Sequence, residues 1–338
     1  MTVREQMERM EYLRFSEYAQ FSDASKGRPR REEPRENDVR TCYQRDSDRI
    51  LHSKAFRRLM HKTQVFLQPE GDHYRTRMTH TLEVARIART ITRALRLNED
   101  LSEAIAFGHD LGHTPFGHAG EVALTEVMGK PFRHNEQSLR VVDELENNGA
   151  GLNLTYEVRM GILGHSSSSR LPETWEGQIV RVSDKIAYLN HDIDDAMRAN
   201  ILTDEDIPRE ISEILGDNHR DRINKLVTNM IFHTLETNAL GMDEEVGTAM
   251  QKLRGFMFER VYKNPVAKGE EVKARHILQQ LYEYYIKHPD AIPVDFRPQI
   301  DFDGMERVVC DYIAGMTDKY AMHKFDELFI PMTWQVRG

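Results

Sequence analysis

Apolar residues recur at helical spacing along almost the whole chain, and no segment shows the sustained alternation of apolar and polar residues that is typical of a half-buried strand. The clearest stripe includes Ile179, Val182 and Ile186, which are spaced by three and four residues. This periodicity predicts an all-α protein. Helices are expected at about residues 77–96, 101–108, 117–126, 134–146, 156–164, 175–197, 208–216, 220–238, 243–261, 270–288 and 303–325.

The chain is long enough to bury a large core, since it has 338 residues and 39% of them are hydrophobic. We expect an N-terminal segment with a basic loop (1–45), a core (46–200) and a C-terminal helical region (201–338) that packs on the core in one continuous domain. Core packing is also the favoured interpretation of an apolar and aromatic cluster in the C-terminal region, with subunit contact or pocket closure as alternatives. The cluster is Leu281, Tyr282, Tyr284, Tyr285 and Ile286.

The sequence has no apolar run of 18 residues, and its charged N-terminus, MTVREQMERMEYLRF, does not fit a signal peptide. We therefore expect a cytoplasmic protein without a membrane partner. The two cysteines, Cys42 and Cys310, agree with that compartment and are too few for a disulfide framework or a cysteine-type zinc site. Any metal ion must then be held by histidine and carboxylate side chains.

The formal net charge of −9 disfavours a protein built mainly to coat nucleic acid, because binding to phosphates needs a basic surface. One segment, 26–40, nevertheless carries six basic residues among four acidic ones. A solvated loop of mixed charge is the favoured interpretation, and contact with phosphates or a polynucleotide is the alternative. The basic residues are Lys26, Arg28, Arg30, Arg31, Arg35 and Arg40.

The densest chemistry lies in residues 109–121, HDLGHTPFGHAGE, which combine three imidazoles and two carboxylates. Three glycines and a proline separate these groups, so the backbone must turn sharply and approach another part of the molecule closely. An ordinary core segment would not need this composition. The stretch therefore predicts a functional site.

Two more distant residues can complete a metal site with the His109-Asp110 pair. His80 lies on the preceding predicted helix, and Asp184 is the candidate for a fourth ligand. Asp184, Tyr188 and Asp192 share one helical face at i, i+4 and i+8. If that helix is considered alone, a solvated polar face is the favoured interpretation of these three residues.

The pattern H…HD…D formed by these residues resembles the HD-domain metal phosphohydrolases. The fuller set of motifs resembles the deoxynucleoside triphosphate triphosphohydrolases, in particular their bacterial dGTPase-like branch. That resemblance implies an HD-domain helical bundle for residues 46–200, with additional C-terminal helices packed on it. The motifs are HKTQVF at 61–66, RMTH at 77–80, HDLGHTPFGHAGE at 109–121, HNE at 134–136 and DKxxYxxxD at 184–192.

Position by position, the resemblance implies that His80, His109, Asp110 and Asp184 bind a divalent metal ion. Mg or Mn is expected, and Fe, Co or Ni also suit such a set of donors. The catalytic residues implied are His118, Glu121 and His113. His118 and Glu121 are spaced i, i+3, so the carboxylate can orient the imidazole for general acid–base catalysis.

The resemblance also implies six substrate-binding residues. Arg77 and Lys185 would neutralise a triphosphate, Tyr188 and Asp192 would surround a deoxyribose, and Gln64 would contact its 3′-hydroxyl. His134 would lie beside the phosphates. Simpler interpretations stay open for Lys185 as a surface ion pair, Gln64 as a loop or capping residue and His134 as a helix-start residue. His52, His61, His73, His165 and His191 have no implied role beyond supporting contacts to metal ligands.

The implied activity is metal-dependent hydrolysis of dGTP or several deoxynucleoside triphosphates at the α-phosphorus, which yields deoxynucleoside and tripolyphosphate. The implied partners are that substrate, an activating nucleotide or single-stranded DNA, and further copies of the chain in a dimer or hexamer. Two alternatives stay open at this stage. One is an HD-domain phosphohydrolase for a monophosphate, a cyclic nucleotide or an alarmone, and the other is a regulatory protein that binds nucleotides or single-stranded DNA. The base preference also stays open.

Overall fold

The computed structural model describes residues 1–33, 38–64, 75–263 and 265–331. Within these ranges the chain forms sixteen α-helices and no strand beyond an isolated bridge between Thr63 and Thr76, so the all-α prediction is confirmed. Four residues named in the sequence analysis, Arg35, Val65, Phe66 and His73, lie outside the described ranges.

The helices follow one another with short connections, and π-helical turns at Val141–Leu145 and Phe258–Tyr262 extend two of them. In chain order they are α1 (Val3–Arg14), α2 (Cys42–Leu51), α3 (Lys54–Arg58), α4 (Arg77–Ala94), α5 (Glu99–Gly108), α6 (His118–Met128), α7 (His134–Arg140), α8 (Tyr156–Gly164), α9 (Trp175–Arg198), α10 (Arg209–Leu215), α11 (His219–Thr237), α12 (Glu244–Met257), α13 (Pro265–Lys287), α14 (Ile300–Asp303), α15 (Met305–Ala314) and α16 (Asp318–Phe329).

The larger of two hydrophobic clusters is centred on α4, α5, α8 and α9, which pack against one another. Each contributes the buried stripe that its periodicity predicts, for example Ile91, Ile105, Ile162 and Ile186. Asn98 begins α5, and its side-chain oxygen accepts from the backbone N–H groups of the first turn. His109, which directly follows the last turn of α5, therefore lies buried in the centre of the bundle.

The second hydrophobic cluster joins α6 to the C-terminal helices α13, α15 and α16. Leu281, Tyr282 and Tyr285 are buried there, which confirms core packing for these members of the aromatic cluster. Since α6 belongs to the predicted core (46–200), the C-terminal helices pack directly on a helix of that core. The boundaries proposed at residues 45 and 200 stay predictions.

The last predicted helix, 303–325, is wrong in its continuity, because the structure divides this region into α14, α15 and α16. Gly304 has φ +82°, and Thr317 caps α16 by accepting from the N–H of Tyr320. The sequence analysis also did not predict α1, α2 and α3. These helices carry many charged residues and few large apolar ones, so a search for apolar stripes does not identify them.

The basic loop is partly tied to the fold by ion pairs. Arg28 contacts the buried Asp46 at 2.5 Å, Lys26 contacts Glu173 at 2.7 Å, and Arg40 pairs with the acidic residues around it. Of the five basic residues of this loop that the structure describes, three thus have carboxylate partners. None of the helices in the described ranges has both the length and the apolarity needed to cross a bilayer.

Close packing of the turn after α5 against α7 yields a stability prediction. The N–H of Gly112 donates to Ser138 Oγ at 2.8 Å, and that hydroxyl donates to the carbonyl of His109 at 2.7 Å. A Cβ atom on Gly112 would overlap the backbone of α7. We expect Gly112→Ala to lower the free energy of unfolding in urea by about 1–3 kcal/mol.

Gly247→Ala is the matched control, since a Cβ on this glycine of α12 meets no atom within 4 Å. It should leave stability unchanged or raise it by about 0.5–1 kcal/mol. Equal responses of the two variants would contradict the packing described for Gly112.

Candidate active site

The four predicted metal ligands come from three helices and lie together in the interior. His80 is on α4, His109 and Asp110 directly follow α5, and Asp184 is on α9. His80 Nε2 is 3.1 Å from Asp184 Oδ1, while His109 Nε2 is 3.3 Å from Asp110 Oδ1 and 3.9 Å from Asp184 Oδ1. The helix packing thus gathers side chains that are separated by more than a hundred positions in sequence.

The hydrogen bonds of His109 leave one buried ring nitrogen available as a ligand for a cation. Its Nδ1 donates to the carbonyl of Ala106 at 2.7 Å, which leaves the lone pair on Nε2 directed at the carboxylates. This Nε2 has no hydrogen-bond partner among the described residues, although it is buried. An unpartnered polar atom in the interior is costly. His80, His109 and Asp110 therefore fit a divalent metal ion, and two imidazoles with two carboxylates suit a transition metal or Mg.

Asp110 is held ionised between this group and an arginine. Its Oδ2 accepts from Arg77 Nη1 at 2.8 Å, and both side chains are buried. Burial alone would raise the pKa of Asp110, but the neighbouring His109, His113 and Arg77 outweigh it and hold the pKa well below its usual range. Arg77 thus contacts a predicted ligand, and its role toward a substrate stays a prediction.

Glu83, His191 and His80 form a chain of contacts that orients the His80 ring. Glu83 pairs with Nε2 of the buried His191, whose Nδ1 is 3.5 Å from His80 Nδ1. Burial lowers the pKa of His191 to about 4, so its Nδ1 accepts and His80 Nδ1 donates. The pKa of His80 is raised, because its bond to Asp184 outweighs burial. A proton or a divalent cation between His80 and Asp184 satisfies both groups.

A second polar group is centred on Glu121. Its Oε1 accepts from His134 Nδ1 at 2.6 Å and from the His134 backbone N–H at 3.1 Å, while Oε2 lies 3.2 Å from His118 Nδ1. Burial opposes ionisation of Glu121, but the hydrogen bonds from both histidines hold its pKa well below the usual range. The bond to Glu121 raises the pKa of His118, whose side chain is 88% exposed. The exposed imidazole of His118 is thus held by the buried carboxylate of Glu121.

His134 has a partner that the sequence analysis left without a direct role. His165 Nδ1 donates to the carbonyl of Ile162 at 2.7 Å, so its Nε2 can only accept, and this atom is 3.1 Å from His134 Nε2. His134 therefore donates from both ring nitrogens and is an imidazolium. Its pKa is raised because Glu121 outweighs burial, whereas burial lowers the pKa of His165 to about 3.

His113 connects the two groups. Its Nε2 lies 3.5 Å from Asp110 Oδ1, and its ring stacks on that of His134 at 4.0 Å between centroids. Burial lowers the pKa of His113 well below the usual range, and its Nδ1 has no hydrogen-bond partner among the described residues. His113 is consequently a neutral side chain between two groups. One is the metal-type group, formed by the four predicted ligands His80, His109, Asp110 and Asp184, and the other is the Glu121 group, formed by Glu121, His118 and His134.

The polar face of α9 continues from Asp184 and is only partly solvated. Burial lowers the pKa of Lys185 and raises that of Tyr188 to about 12. Burial also raises the pKa of Asp192 to about 7, even though the hydroxyl of Tyr262 donates to its Oδ2. The second oxygen of Asp192 and the Oε1 of Gln64 have no hydrogen-bond partner among the described residues.

Sequence reasoning missed Tyr262, and it gave His165 and His191 no role beyond supporting contacts to metal ligands. His191 contacts the predicted ligand His80, whereas His165 contacts His134. His191 follows Asp184 by seven positions on α9, so helical periodicity placed it on the same face and could have identified it. His165 and Tyr262 meet their partners only through tertiary packing, and no local pattern marks them. Arg254 on α12 also acts electrostatically on Lys185, Tyr188 and Tyr262.

Comparisons with known proteins place two family regions on this architecture. Residues 77–189 match the family described as HD domain, and residues 240–327 match the phosphohydrolase-associated domain. The first match contains all four predicted metal ligands, and the second includes α12 to α15 and nearly all of α16.

Relatives match over nearly the whole chain. A deoxyguanosinetriphosphate triphosphohydrolase-like protein from Caldanaerobacter subterraneus subsp. tengcongensis is 56% identical over 99% of this chain and 98% of its own length. Proteins with the same description are 49% identical in Clostridium perfringens, over 98% of both chains, and 48% identical in Desulfatibacillum aliphaticivorans, over 98% of this chain and 99% of that relative.

Asp184→Asn tests the metal group without disturbing the Asp110–Arg77 pair. We expect this variant to keep its helical circular dichroism but to bind a divalent ion far more weakly, because a ligand charge is lost. The loss should exceed the roughly 10–100-fold cost of losing an outer-shell partner. Elemental analysis and titration with Mn²⁺ measure it.

Asp194→Asn on the same helix is the control, since Asp194 pairs with His219 at 2.5 Å and with Arg75. It should bind the ion like the unmodified protein. Full metal content in a folded Asp184→Asn variant would remove Asp184 from the ligand set.

Proposed function

The chain belongs to the family of deoxyguanosinetriphosphate triphosphohydrolase-like proteins with an HD domain, and we propose that it cleaves deoxynucleoside triphosphates at the α-phosphorus. The products are deoxynucleoside and tripolyphosphate. The observation that carries this proposal is the contact of two groups through His113: a metal-type group at Asp110 and an acid–base group at Glu121. Hydrolysis of a phosphate ester needs both kinds of chemistry beside one phosphorus atom.

His80, His109, Asp110 and Asp184 would hold the divalent ion, which supplies positive charge to a phosphoryl group as negative charge builds up on it. The ionised Asp110 and Asp184 are suited to this task, since neighbouring imidazoles keep their pKa values low. We assign to Arg77 the positioning of Asp110 in addition to its predicted contact with the triphosphate. A guanidinium can serve both because it has several donors in a fixed plane.

His118 would protonate the 5′ oxygen of the leaving nucleoside. Water adds to the α-phosphorus, the bond from phosphorus to that oxygen breaks, and the oxygen takes the proton from the imidazolium. One proton of the water stays on the tripolyphosphate, and the other is released and restores the imidazolium after the nucleoside has left. The hydrogen bond to Glu121 raises the pKa of His118, which favours its protonated form, and fixes the direction of its ring. The exposure of His118 leaves it accessible to a substrate.

The charges around the site suit a polyphosphate more than a single phosphate. His134 is an imidazolium beside the stacked His113, and Lys185 lies close enough to Arg181 and Arg254 for both to lower its pKa. These like charges repel one another, and an anion bound between them would offset the repulsion. Arg181 donates to three backbone carbonyls, whereas Arg254 is exposed, which leaves Arg254 and Lys185 to contact a triphosphate.

The two helical turns of α9 that follow Lys185 would contact the sugar. Tyr188 and Asp192 line the same helical face as Lys185, and Tyr262 closes on Asp192. Gln64 Oε1 offers an acceptor for the 3′-hydroxyl. The activating nucleotide or single-stranded DNA and the homo-oligomer stay predictions from the resemblance, and the base preference stays open.

The reaction type is tested by the products. The protein is supplied with Mg²⁺ or Mn²⁺ and with each of the four deoxynucleoside triphosphates, and the mixture is separated by HPLC. We expect deoxynucleoside and tripolyphosphate in equal amounts. Accumulation of deoxynucleoside di- or monophosphate would refute cleavage at the α-phosphorus, and turnover confined to monophosphates, cyclic nucleotides or alarmones would identify one of the alternative phosphohydrolases.

The acid–base assignment predicts a pH effect. Glu121 raises the pKa of His118, so His118 loses its proton at a lower pH when that carboxylate is neutralised. In Glu121→Gln the alkaline limb of kcat/KM should therefore move to lower pH, and kcat should fall by about 10²–10⁴-fold. Glu126→Gln on the same helix is the control, because Glu126 is exposed and pairs with Arg275 and Gln279. An unchanged alkaline limb in Glu121→Gln would rule out His118 as the acid.

A further inference from the structure

Two buried polar side chains, an amine and a carboxyl group, hold the backbone of the loop that connects His113 to His118. Lys62 is 2% exposed, and its Nζ donates to the carbonyl of His113 and, at 2.8 Å, to the carbonyl of Ala314. Asp318 is 3% exposed and accepts from the N–H of Phe116 and the N–H of Thr63, both at 2.9 Å. One side chain therefore fixes the start of the loop, and the other fixes its end.

The loop needs such anchors because its backbone is unusual just before His118. Phe116 has φ +62° and Gly117 has φ +57°. A left-handed conformation costs an ordinary residue about 1–2 kcal/mol, so it persists only where surrounding contacts determine it. The carboxylate of Asp318 binds the N–H of Phe116 itself, which selects this conformation over the alternatives.

The conformation of the loop decides where two predicted catalytic side chains point. His113 is at its start, with its ring between Asp110 and His134, and His118 begins α6 at its end, beside Glu121. Thr114 Oγ1 also donates to the carbonyl of Gly117 at 2.8 Å, so the loop is rigid within itself. Its orientation relative to the bundle then depends on Lys62 and Asp318.

The anchors come from outside the loop and outside the metal-type group. Thr63 and Lys62 precede α4, while Ala314 and Asp318 flank the turn between α15 and α16. Burying a lysine and a carboxylate is costly unless each is hydrogen-bonded. The donors of Lys62 and the acceptors of Asp318 match the backbone groups of one loop conformation, which apolar residues could not do.

We propose that Lys62 and Asp318 are positioning residues that set His113 and His118 against Glu121, so that the turn between α15 and α16 is a structural part of the active site. The effect on turnover rests on the proposed function, whereas the effect on His118 itself does not. A displacement of about 1 Å in a catalytic group can lower a rate by about 100-fold.

The test uses the full chain with Asp318→Asn and Lys62→Met. Asp326→Asn and Lys319→Met are the matched controls, since both residues are exposed on α16 close to Asp318 in sequence. We expect the two anchor variants to lose about 10–100-fold in kcat, with KM and bound metal nearly unchanged. The controls should retain full activity.

A readout that does not require turnover separates this proposal from the proposed function. Histidine titration by NMR should show a lower pKa for His118 in the anchor variants, because the ring moves away from Glu121. A His118 pKa that stays unchanged in both folded anchor variants would overturn the proposal, as would a loss of kcat that only follows a loss of metal. If no nucleotide is hydrolysed at all, the shift in the His118 pKa still decides the positioning role.

If the single variants unfold, the proposal is tested on the unmodified protein. Native-state hydrogen exchange should show that the amides of Thr63 and Phe116 open with the same free energy as those of α16, since Asp318 protects them. Rapid exchange of Thr63 and Phe116 while α16 remains protected would overturn the proposal.

Discussion

The buried, ionised carboxylate of Asp110 is the constraint around which the centre of the bundle is organised. A charge in the interior is stable only with partners, and Asp110 has them on both oxygens: Arg77 on Oδ2, His109 and His113 near Oδ1. These partners require α4, α5 and the following loop to meet at one point. The glycine at position 112 lets α7 approach the same turn, and α9 adds Asp184 from the opposite side. Helix packing and charge compensation are therefore one problem in this fold.

The site lies where the two hydrophobic clusters meet. The metal-type group belongs to the cluster of α4, α5, α8 and α9, whereas Glu121 and His118 are on α6, which packs with α13, α15 and α16. The two groups of polar side chains can thus be supported by different sets of helices. The loop 113–117 crosses from one cluster to the other, and its backbone is bound by residues of both halves of the sequence.

Local pattern predicted what depends on local pattern. The helices that carry the metal-type group have strong apolar stripes and clear caps, as Asn98 shows for α5, and they were predicted with nearly correct bounds. The density of histidines and carboxylates marked residues 109–121, and the resemblance added His80 and Asp184, which the fold brings within 3.1 Å. The contacts of His165, Lys62 and Asp318 have no such signal, because each depends on the relative placement of elements that are far apart in sequence. Helices with few apolar residues, such as α1 and α3, and a break such as Gly315–Thr317 have no clear signal in the sequence, because tertiary packing stabilises them.

Glu121 gives two histidines different properties through their surroundings. His134 is buried, bound on both nitrogens and stacked on His113, so its proton is fixed between Glu121 and His165. His118 shares the same carboxylate but is exposed, and its other nitrogen is directed away from Glu121. A proton on His134 therefore contributes fixed positive charge, which suits an anionic substrate, whereas the proton on His118 can leave. The division follows from burial and hydrogen-bond partners alone: one carboxylate binds a buried imidazole whose two ring nitrogens both have partners and an exposed imidazole that has only this one among the described residues.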